Sequence, residues 1–264
     1  MNKIICKHYG DMGDIIFSLP VLKELQNRGN FIDLELDCNG GKGKMHPYVA
    51  KPARGYTKFN QKSYEFLLPL LQKQSYISLI RDHITEIIQP GVEYVDLNEF
   101  RNKIGYSNIV LSHLVATNTI KDVQLKDFPK LTERWLEVGD NNEEQYDILF
   151  NRTLRFQGNH SFWESALPKV IKEGKKIGFM GTDLEYQVIT EIMEVSKEQL
   201  PRVFISDALQ MAKLIDKCSL FVSNEGLPGA IAMVLDKQLI LEVNKTYPAI
   251  VFKHKAESVQ HQYV

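Results

Sequence analysis

Short apolar runs alternate with stretches of helical spacing through most of this 264-residue chain, most clearly in the C-terminal half. We predict strands there at Tyr146–Phe150, Lys176–Phe179, Arg202–Ile205, Ser219–Val222 and Gln238–Val243. Helices are predicted at about Phe162–Lys172, at about Asp183–Val195, after an N-cap at Ser206 or Asp207, and from near Leu227, with Pro228 in its first turn. Strands that alternate with helices imply βαβ units and a parallel sheet. The sequence therefore predicts an α/β protein.

The N-terminal half begins with the same order of strand, glycine turn and helix. The apolar run Ile4–Cys6 precedes a glycine-containing turn, helical spacing then extends from Ile15 to Leu25, and a strand follows at Phe31–Leu36. Pro20 lies inside the helical pattern, so we expect a kink or a short first turn there. Further along we predict a helix at Tyr64–Gln72 and strands at Tyr76–Ile80, Val92–Val95 and Asn108–Leu111.

A polar stretch rich in turn residues at 139–144 marks the predicted domain boundary. We divide the chain there into an N-terminal domain, 1–140, and a C-terminal domain, 141–264. The length of the chain is as compatible with two small domains as with one large one.

Charge and cysteine content exclude several classes of protein. Lysine and arginine number 32 against 33 aspartate and glutamate residues, so no global basic field attracts nucleic acid or a membrane. No apolar run approaches the length of a membrane span, and the first residues lack a signal-peptide pattern, so we expect no stable membrane insertion. Three widely spaced cysteines predict reduced thiols in a cytoplasmic protein, and the histidines show no zinc-binding spacing.

Ligands of open parallel sheets bind at the carboxyl ends of the strands, so the candidate residues are those that follow each predicted strand, which we call the strand-end rule. After the first strand, Gly13 permits a tight turn and Asp14 opens a helix. A carboxylate at that position can accept a proton from a substrate hydroxyl, or it can simply cap the helix. The spacing alone leaves both roles open.

Two further groups of candidate residues follow strands of the C-terminal half. Asn151, Arg152, Thr153 and Arg155 suit a diphosphate, because arginine offers a planar fork to phosphate, although a solvated loop explains them equally well. After the next strand, Gly181 leaves room for a ligand, and Thr182 or Asp183 can cap the following helix. Glu185 can reach a ribose or a base, or it can complement the helix dipole.

The fourth group follows the strand at Ser219–Val222. Asn224, Glu225 and Gly226 lie where a helix N-terminus directs its N–H groups towards the ligand crevice, which favours an anion. A carboxylate beside a phosphate repels it, so Glu225 is expected to face a hydroxyl or an amide. The alternative is an ordinary turn between strand and helix.

A glycine-rich basic segment lies between Cys38 and Asn60. It reads as a long loop or lid, and we select Lys42, Lys44 and Arg54 as candidate acceptor-side or lid residues. Interleaved aromatic residues also allow nucleic-acid binding, which we consider less favoured than a solvated lid.

Two stretches resemble glycosyltransferase family 9, the ADP-heptose–lipopolysaccharide heptosyltransferases and their relatives. Met12-Gly13-Asp14-Ile15-Ile16 with Leu19-Pro20-Val21-Leu22 is similar to the family's opening, and Leu220–Gly226 with Ala230-Ile231-Ala232 is similar to its donor-site strand, turn and helix. The resemblance implies a GT-B architecture of two Rossmann-like domains with parallel sheets facing across a cleft. The N-terminal domain is reduced in this chain, and a C-terminal helix can pack back on it.

The resemblance also implies an activity. It is an inverting transfer of a hexosyl or heptosyl group from a nucleotide-diphosphate sugar, with Asp14 as general base, the turn Asn224–Gly226 at the diphosphate, and neither a metal nor a cofactor. The nucleotide sugar is then a co-substrate, and the acceptor is a glycan or another anionic molecule. Two alternatives stay open: a non-catalytic nucleotide-binding or nucleotide-sugar-binding module of the same fold, and a transferase that modifies nucleic acid.

Overall fold

The computed structural model describes residues 2–38, 59–85, 88–103, 109–119, 134–154, 162–164 and 173–242. These residues form two compact units, one built mainly from residues up to Gly139 and the other mainly from residues beyond it. Each unit contains one sheet, and all strand pairs in both sheets are parallel. No helix in these ranges is long and apolar enough to cross a membrane.

The first unit is a four-stranded sheet with its helices. Its elements are β1 (Lys3–His8), α1 (Met12–Asn27), β2 (Phe31–Leu36), α2 (Gln61–Gln72), β3 (Leu79–Arg81), β4 (Glu93–Asp96), a 3₁₀ helix (Leu97–Lys103) and α3 (Ile109–Ala116). The sheet order is β3-β2-β1-β4, so the chain reverses direction across the sheet between β1 and β4. This order is that of a Rossmann half.

The second unit is a five-stranded sheet of the same type. Its elements are β5 (Ile148–Phe150), β6 (Ile177–Met180), α4 (Asp183–Met193), β7 (Arg202–Val203), α5 (Ala208–Lys217), β8 (Leu220–Asn224), α6 (Leu227–Val234) and β9 (Leu239–Glu242). The order β7-β6-β5-β8-β9 again reverses next to the first strand of the unit, here between β5 and β8. The sheet has buried apolar side chains, such as those of Phe150, Phe179 and Val222, in its core.

Helix α1 forms because its apolar residues recur at helical spacing and are buried together, from Ile15 to Leu25. The helix continues through Pro20, so it has no separate first turn. Gly13 lies inside the first turn of the helix, so the tight turn attributed to it is wrong, and the chain turns before Met12 instead.

One element was assigned the wrong type from the sequence. The run Asn108–Leu111 was predicted as a strand, whereas Ile109–Ala116 is helix α3. Val110 to Leu114 are all buried, so the helix lacks the polar face that would reveal its period. The remaining predicted elements that lie within the described residues are present, with shifted ends; β3, for example, begins at Leu79 rather than Tyr76.

Candidate functional site

The carboxyl ends of β5 and β8 are neighbours at the point where the second sheet reverses its strand order. In open α/β sheets this is where ligands bind. The segment after β5 begins with Asn151, and the segment after β8 contains Glu225 and Gly226. The structure therefore brings the second and fourth candidate groups together, although they are about seventy residues apart in the sequence.

The Asn224 side chain joins the two segments by three hydrogen bonds. Its Oδ1 accepts from the Thr153 backbone N–H at 2.8 Å and from Thr153 Oγ1 at 3.1 Å, and its Nδ2 donates to the Thr153 carbonyl oxygen at 2.9 Å. Asn224 is fully buried. The side-chain amide of Asn224 thus bonds both the backbone N–H and the carbonyl of Thr153, as a neighbouring strand would. It fixes the distance between the two loops.

Two more buried polar side chains lie at the ends of these strands. Asn151 Nδ2 donates to the carbonyl oxygen of Met180 at 2.7 Å, which ties the end of β5 to the end of β6. Ser223 Oγ lies 3.3 Å from Asn151 Oδ1 and 2.9 Å from the Asn224 carbonyl oxygen, so its single proton can be donated to either oxygen. The carboxyl ends of three adjacent strands are therefore cross-linked by side-chain hydrogen bonds, which makes this edge of the sheet a rigid platform.

Gly226 allows the β8 loop to approach the β5 loop closely. It is the N-cap residue of α6, and a Cβ atom at this position would lie 2.9 Å from Thr153 Cγ2. Pro228 lies in the first turn of α6, where a missing N–H is tolerated. The N-terminus of α6 therefore starts directly beside Thr153, with the positive end of its dipole at the same edge of the sheet.

Arg152 is placed differently from the sequence expectation. Its side chain is fully buried, with Nε 3.0 Å from Glu242 Oε2 and Nη2 3.0 Å from Glu242 Oε1. Trp163 Nε1 also donates to Glu242 Oε2, at 2.9 Å. The role of Arg152 as a diphosphate ligand stays a prediction, and this contact supplies a competing role for its guanidinium.

The third group forms a helix cap. Thr182 is the N-cap of α4, and its hydroxyl accepts from the Glu185 N–H while Glu185 Oε2 accepts from the Thr182 N–H at 2.8 Å. The structure thus confirms Thr182 as a capping residue and gives Glu185 a capping partner. A Cβ at Gly181 would lie 2.6 Å from a ring carbon of Phe179, so packing within the chain already requires glycine there.

In the first unit, the strand order reverses between β1 and β4, and the residues after these strands again meet. The backbone N–H of Tyr9 donates to Asn98 Oδ1 at 3.2 Å, and α1 begins just beyond, with Asp11 as its N-cap. Asp14 is partly exposed in the first turn of α1. Asp14 is therefore not the N-cap, whereas its role as a base stays a prediction.

The side chain of Tyr9 follows β1 and is partly buried. Burial, followed by the charges of Asp96, Asp37 and Glu35, raises the pKa of the Tyr9 phenol above its ordinary value. The phenol is therefore protonated at neutral pH and can donate a hydrogen bond to a ligand oxygen.

Four candidate residues lie outside the described residues, namely Lys42, Lys44, Arg54 and Arg155. The predicted lid and the predicted C-terminal helix also lie outside the described residues. Within the described ranges, no three histidine, cysteine or acidic side chains are grouped so as to hold a metal ion.

Sequence reasoning missed Glu242, Trp163 and Asn98. Glu242 carried a usable signal, because an acidic residue inside the apolar run of β9 must be buried with a partner. Asn98 follows β4 closely, so the strand-end rule could have selected it. Trp163 carried no signal, since aromatic residues at helical positions are usually core residues.

No protein-family model and no curated protein matches the chain by sequence. Solved structures do match its fold. A glycosyltransferase family 9 protein from Veillonella parvula aligns with a TM-score of 0.55 and 10% identity over 95% of this chain and 85% of that one. The E. coli heptosyltransferase WaaC, solved with ADP-2-deoxy-2-fluoro heptose, aligns with a TM-score of 0.51 and 10% identity, over 90% of this chain and 88% of WaaC.

The E. coli ADP-heptose lipopolysaccharide heptosyltransferase II gives a TM-score of 0.50 and 13% identity over 94% of this chain and 88% of that one. At such low identity, the likeness is one of fold. It agrees with the two all-parallel sheets and their Rossmann strand orders. The chain therefore has the GT-B fold of the family 9 glycosyltransferases, as the sequence resemblance predicted.

Proposed function

We propose that this protein is a glycosyltransferase that moves a sugar from a nucleotide-diphosphate donor to an acceptor hydroxyl, with inversion and without a metal. The observation that carries the proposal is the arrangement at the β5–β8 reversal, where Thr153, Asn224 and the N-terminus of α6 adjoin. Solved structures with this fold include a heptosyltransferase with a bound ADP-sugar analogue, which supports a nucleotide sugar as the donor.

On the donor side, we assign the diphosphate to the N-terminus of α6 and the adjoining loops. Helix N-termini bind phosphate because their first N–H groups have no intrahelical acceptor and because the dipole favours negative charge. Loss of the nucleoside diphosphate as leaving group builds negative charge at this point, which the helix end stabilises without reorganisation. Glu225, in the same turn, is assigned to a hydroxyl of the donor.

On the acceptor side, we assign the general base to Asp14. Its carboxylate takes the proton of the acceptor hydroxyl while the acceptor oxygen forms a bond to the anomeric carbon. The bond from that carbon to the diphosphate oxygen breaks, and the nucleoside diphosphate leaves with the electron pair. Because attack and departure occur on opposite faces of the carbon, the configuration inverts. The acceptor is proposed to be a glycan or another anionic molecule, with Lys42, Lys44 and Arg54 as its candidate contacts.

The test replaces the base and leaves the donor side unchanged. Asp14→Asn is expected to lower turnover, measured as sugar transfer or as donor hydrolysis, by about 10²–10⁴-fold. The dissociation constant for the donor, measured by calorimetry, should stay within about threefold of the wild type. Asp11→Asn, three residues away at the same helix end, is the matched control, since asparagine also serves as an N-cap.

Three results would contradict the proposal in different ways. Unchanged turnover in Asp14→Asn removes Asp14 as the base. Loss of donor binding in that variant places Asp14 on the donor side. Tight donor binding without transfer or hydrolysis by the wild type identifies a non-catalytic binding module.

A further inference from the structure

A buried ion pair lies beside the proposed donor site, and the mechanism above does not use it. The side chains of Arg152 and Glu242 are both completely buried. Nε and Nη2 of the arginine each lie 3.0 Å from a different oxygen of the carboxylate, so the contact is bidentate. Trp163 adds a hydrogen bond to Glu242 Oε2, and the guanidinium carbon lies 5.3 Å from the centre of the Trp163 ring.

The pair connects two strands that are not neighbours. Arg152 follows β5 and Glu242 ends β9, while β8 runs between these strands. Glu242 is paired in register with Asn224, the residue whose amide holds Thr153. The Arg152 side chain therefore extends across the end of β8, and successive residues of one loop are held by successive strands: Thr153 by β8 and Arg152 by β9.

Net stability is a weak reason for such a pair. Removing two charges from water is unfavourable, and well-packed apolar residues of similar volume often serve as well or better. The pair does fix the orientation of the Arg152 side chain, because a bidentate fork allows one orientation of the guanidinium relative to the carboxylate. With Trp163 fixing the carboxylate, the Arg152 side chain is held at its far end, and the backbone of the loop is held with it.

We propose that Arg152 is a positioning residue, which acts through Glu242 to hold the loop 151–153 at the distance from α6 that diphosphate binding requires. This inference rests on the proposed function. It differs from the sequence-based role of Arg152 as a diphosphate ligand, because the guanidinium is directed to Glu242 and the phosphate contacts come from the Thr153 loop and from α6.

Glu242→Gln separates the two roles by the sign of its effect. If Arg152 positions the loop, replacement of one carboxylate oxygen by an amide nitrogen breaks the fork and loosens the loop, and binding of a nucleoside diphosphate weakens by about tenfold or more. If Arg152 is a diphosphate ligand, releasing its fork from Glu242 leaves affinity unchanged or increases it. Glutamine keeps one oxygen, which can still accept from the Trp163 N–H and from Arg152 Nε, while its amide nitrogen faces Nη2 and breaks the bidentate contact.

The experiment measures dissociation constants by calorimetry for ADP, GDP, CDP and UDP, and continues with the tightest. We expect Glu242→Gln, Arg152→Met and the double variant Arg152→Met/Glu242→Gln to weaken it to a similar extent, because each breaks the same link. Glu144→Gln is the matched control. This substitution breaks the exposed ion pair of Glu144 with Lys176, the residue before β6. The pair lies at the amino ends of the strands, so nucleotide affinity should stay unchanged.

Circular dichroism establishes that each variant is folded at the temperature of the measurement. If a single variant fails to fold, the double variant decides, since it leaves no buried charge without a partner. Its free form should then show faster amide hydrogen exchange for residues 151–153 than the wild type. Unchanged exchange in that segment, or unchanged affinity in Glu242→Gln, overturns the positioning role alone. Failure of the wild type to bind any of the four nucleotides overturns the proposed function and this inference with it.

Discussion

Asn224→Asp changes a single amide nitrogen to oxygen at the contact that joins the two loops of the proposed donor site. The new carboxylate can still accept from the Thr153 N–H and hydroxyl. It can no longer donate to the Thr153 carbonyl, and two oxygen atoms then face each other across the 2.9 Å that separates Asn224 Nδ2 from that carbonyl oxygen. The substitution is therefore nearly isosteric and tests the polarity of the contact.

The expected loss of stability follows from these contacts. A lost hydrogen bond contributes about 1 kcal/mol, and a buried carbonyl left without a donor adds about 1–3 kcal/mol. The free energy of unfolding should therefore fall by about 2–4 kcal/mol, which corresponds to a decrease in Tm of roughly 5–15 °C for a domain of this size. Nucleoside diphosphate binding should weaken as well, because the new charge lies beside the proposed phosphate position.

The effect should depend on pH. Burial and the facing carbonyl raise the pKa of the new carboxyl in the folded state above its ordinary value of about 4. A group with a raised folded-state pKa contributes stability below its unfolded pKa and loses it as pH rises through the folded value. The difference in Tm between Asn224→Asp and the wild type should therefore be largest at neutral pH and should shrink towards pH 4.

Asn141→Asp provides the matched control in the same unit. The Asn141 amide also donates to a carbonyl, that of Lys213 at 2.7 Å, and accepts from a backbone N–H, that of Glu143. Asn141 is partly exposed, so water can replace the lost donor, and nucleotide affinity should stay unchanged. A Tm for Asn224→Asp within about 2 °C of the wild type at neutral pH, without the pH trend, would refute the reasoning.

Three further predictions concern the helix cap, the metal and a buried thiol. Thr182→Ala should lower the free energy of unfolding by about 1 kcal/mol, measured by urea denaturation, and leave donor affinity unchanged if its role is that of a cap. Transfer activity should persist after dialysis against EDTA and should not rise on addition of Mg²⁺ or Mn²⁺; a loss restored by either ion would contradict the metal-independent mechanism. Burial raises the pKa of the Cys218 thiol from 9.0 to about 11, so the unfolded thiol ionises first and stability should fall as pH rises from about 9 to 11. Cys218→Ala should show a smaller fall over this range, and an unchanged slope would exclude the thiol as its source.

The fold could be predicted from the sequence because the apolar runs, the turn residues and the helix-start signals indicate the same strands and helices. Apolar runs such as β8 are bounded by turn residues, and Pro228 marks the start of a helix where the structure has one. The error at α3 shows the limit of this reasoning, because a helix buried on nearly all sides, from Val110 to Ala116, has no polar face to reveal its period.

The candidate site was predicted in outline, whereas the contacts within it were not. The strand-end rule selected Asn151, Thr153, Asn224 and Gly226, which the structure places in one cluster. It does not state which strand ends meet, since that depends on strand order, and strand order is a property of the assembled sheet. The contact of Asn224 with Thr153 was therefore outside what the local sequence could supply.

Arg152 shows why the local sequence leaves the role of a site residue open. An arginine after a strand looks like a phosphate ligand when the sequence is examined locally, because its fork matches phosphate as well as carboxylate. The carboxylate that the guanidinium contacts, that of Glu242, lies ninety residues away, at the end of an apolar strand where an unpaired carboxylate would be very unfavourable. A buried acid must find a cation, whereas a surface loop need not hold a phosphate. In a parallel sheet, an acid at the carboxyl end of a buried strand should therefore be matched with a basic residue at another strand end before that residue is assigned to a ligand.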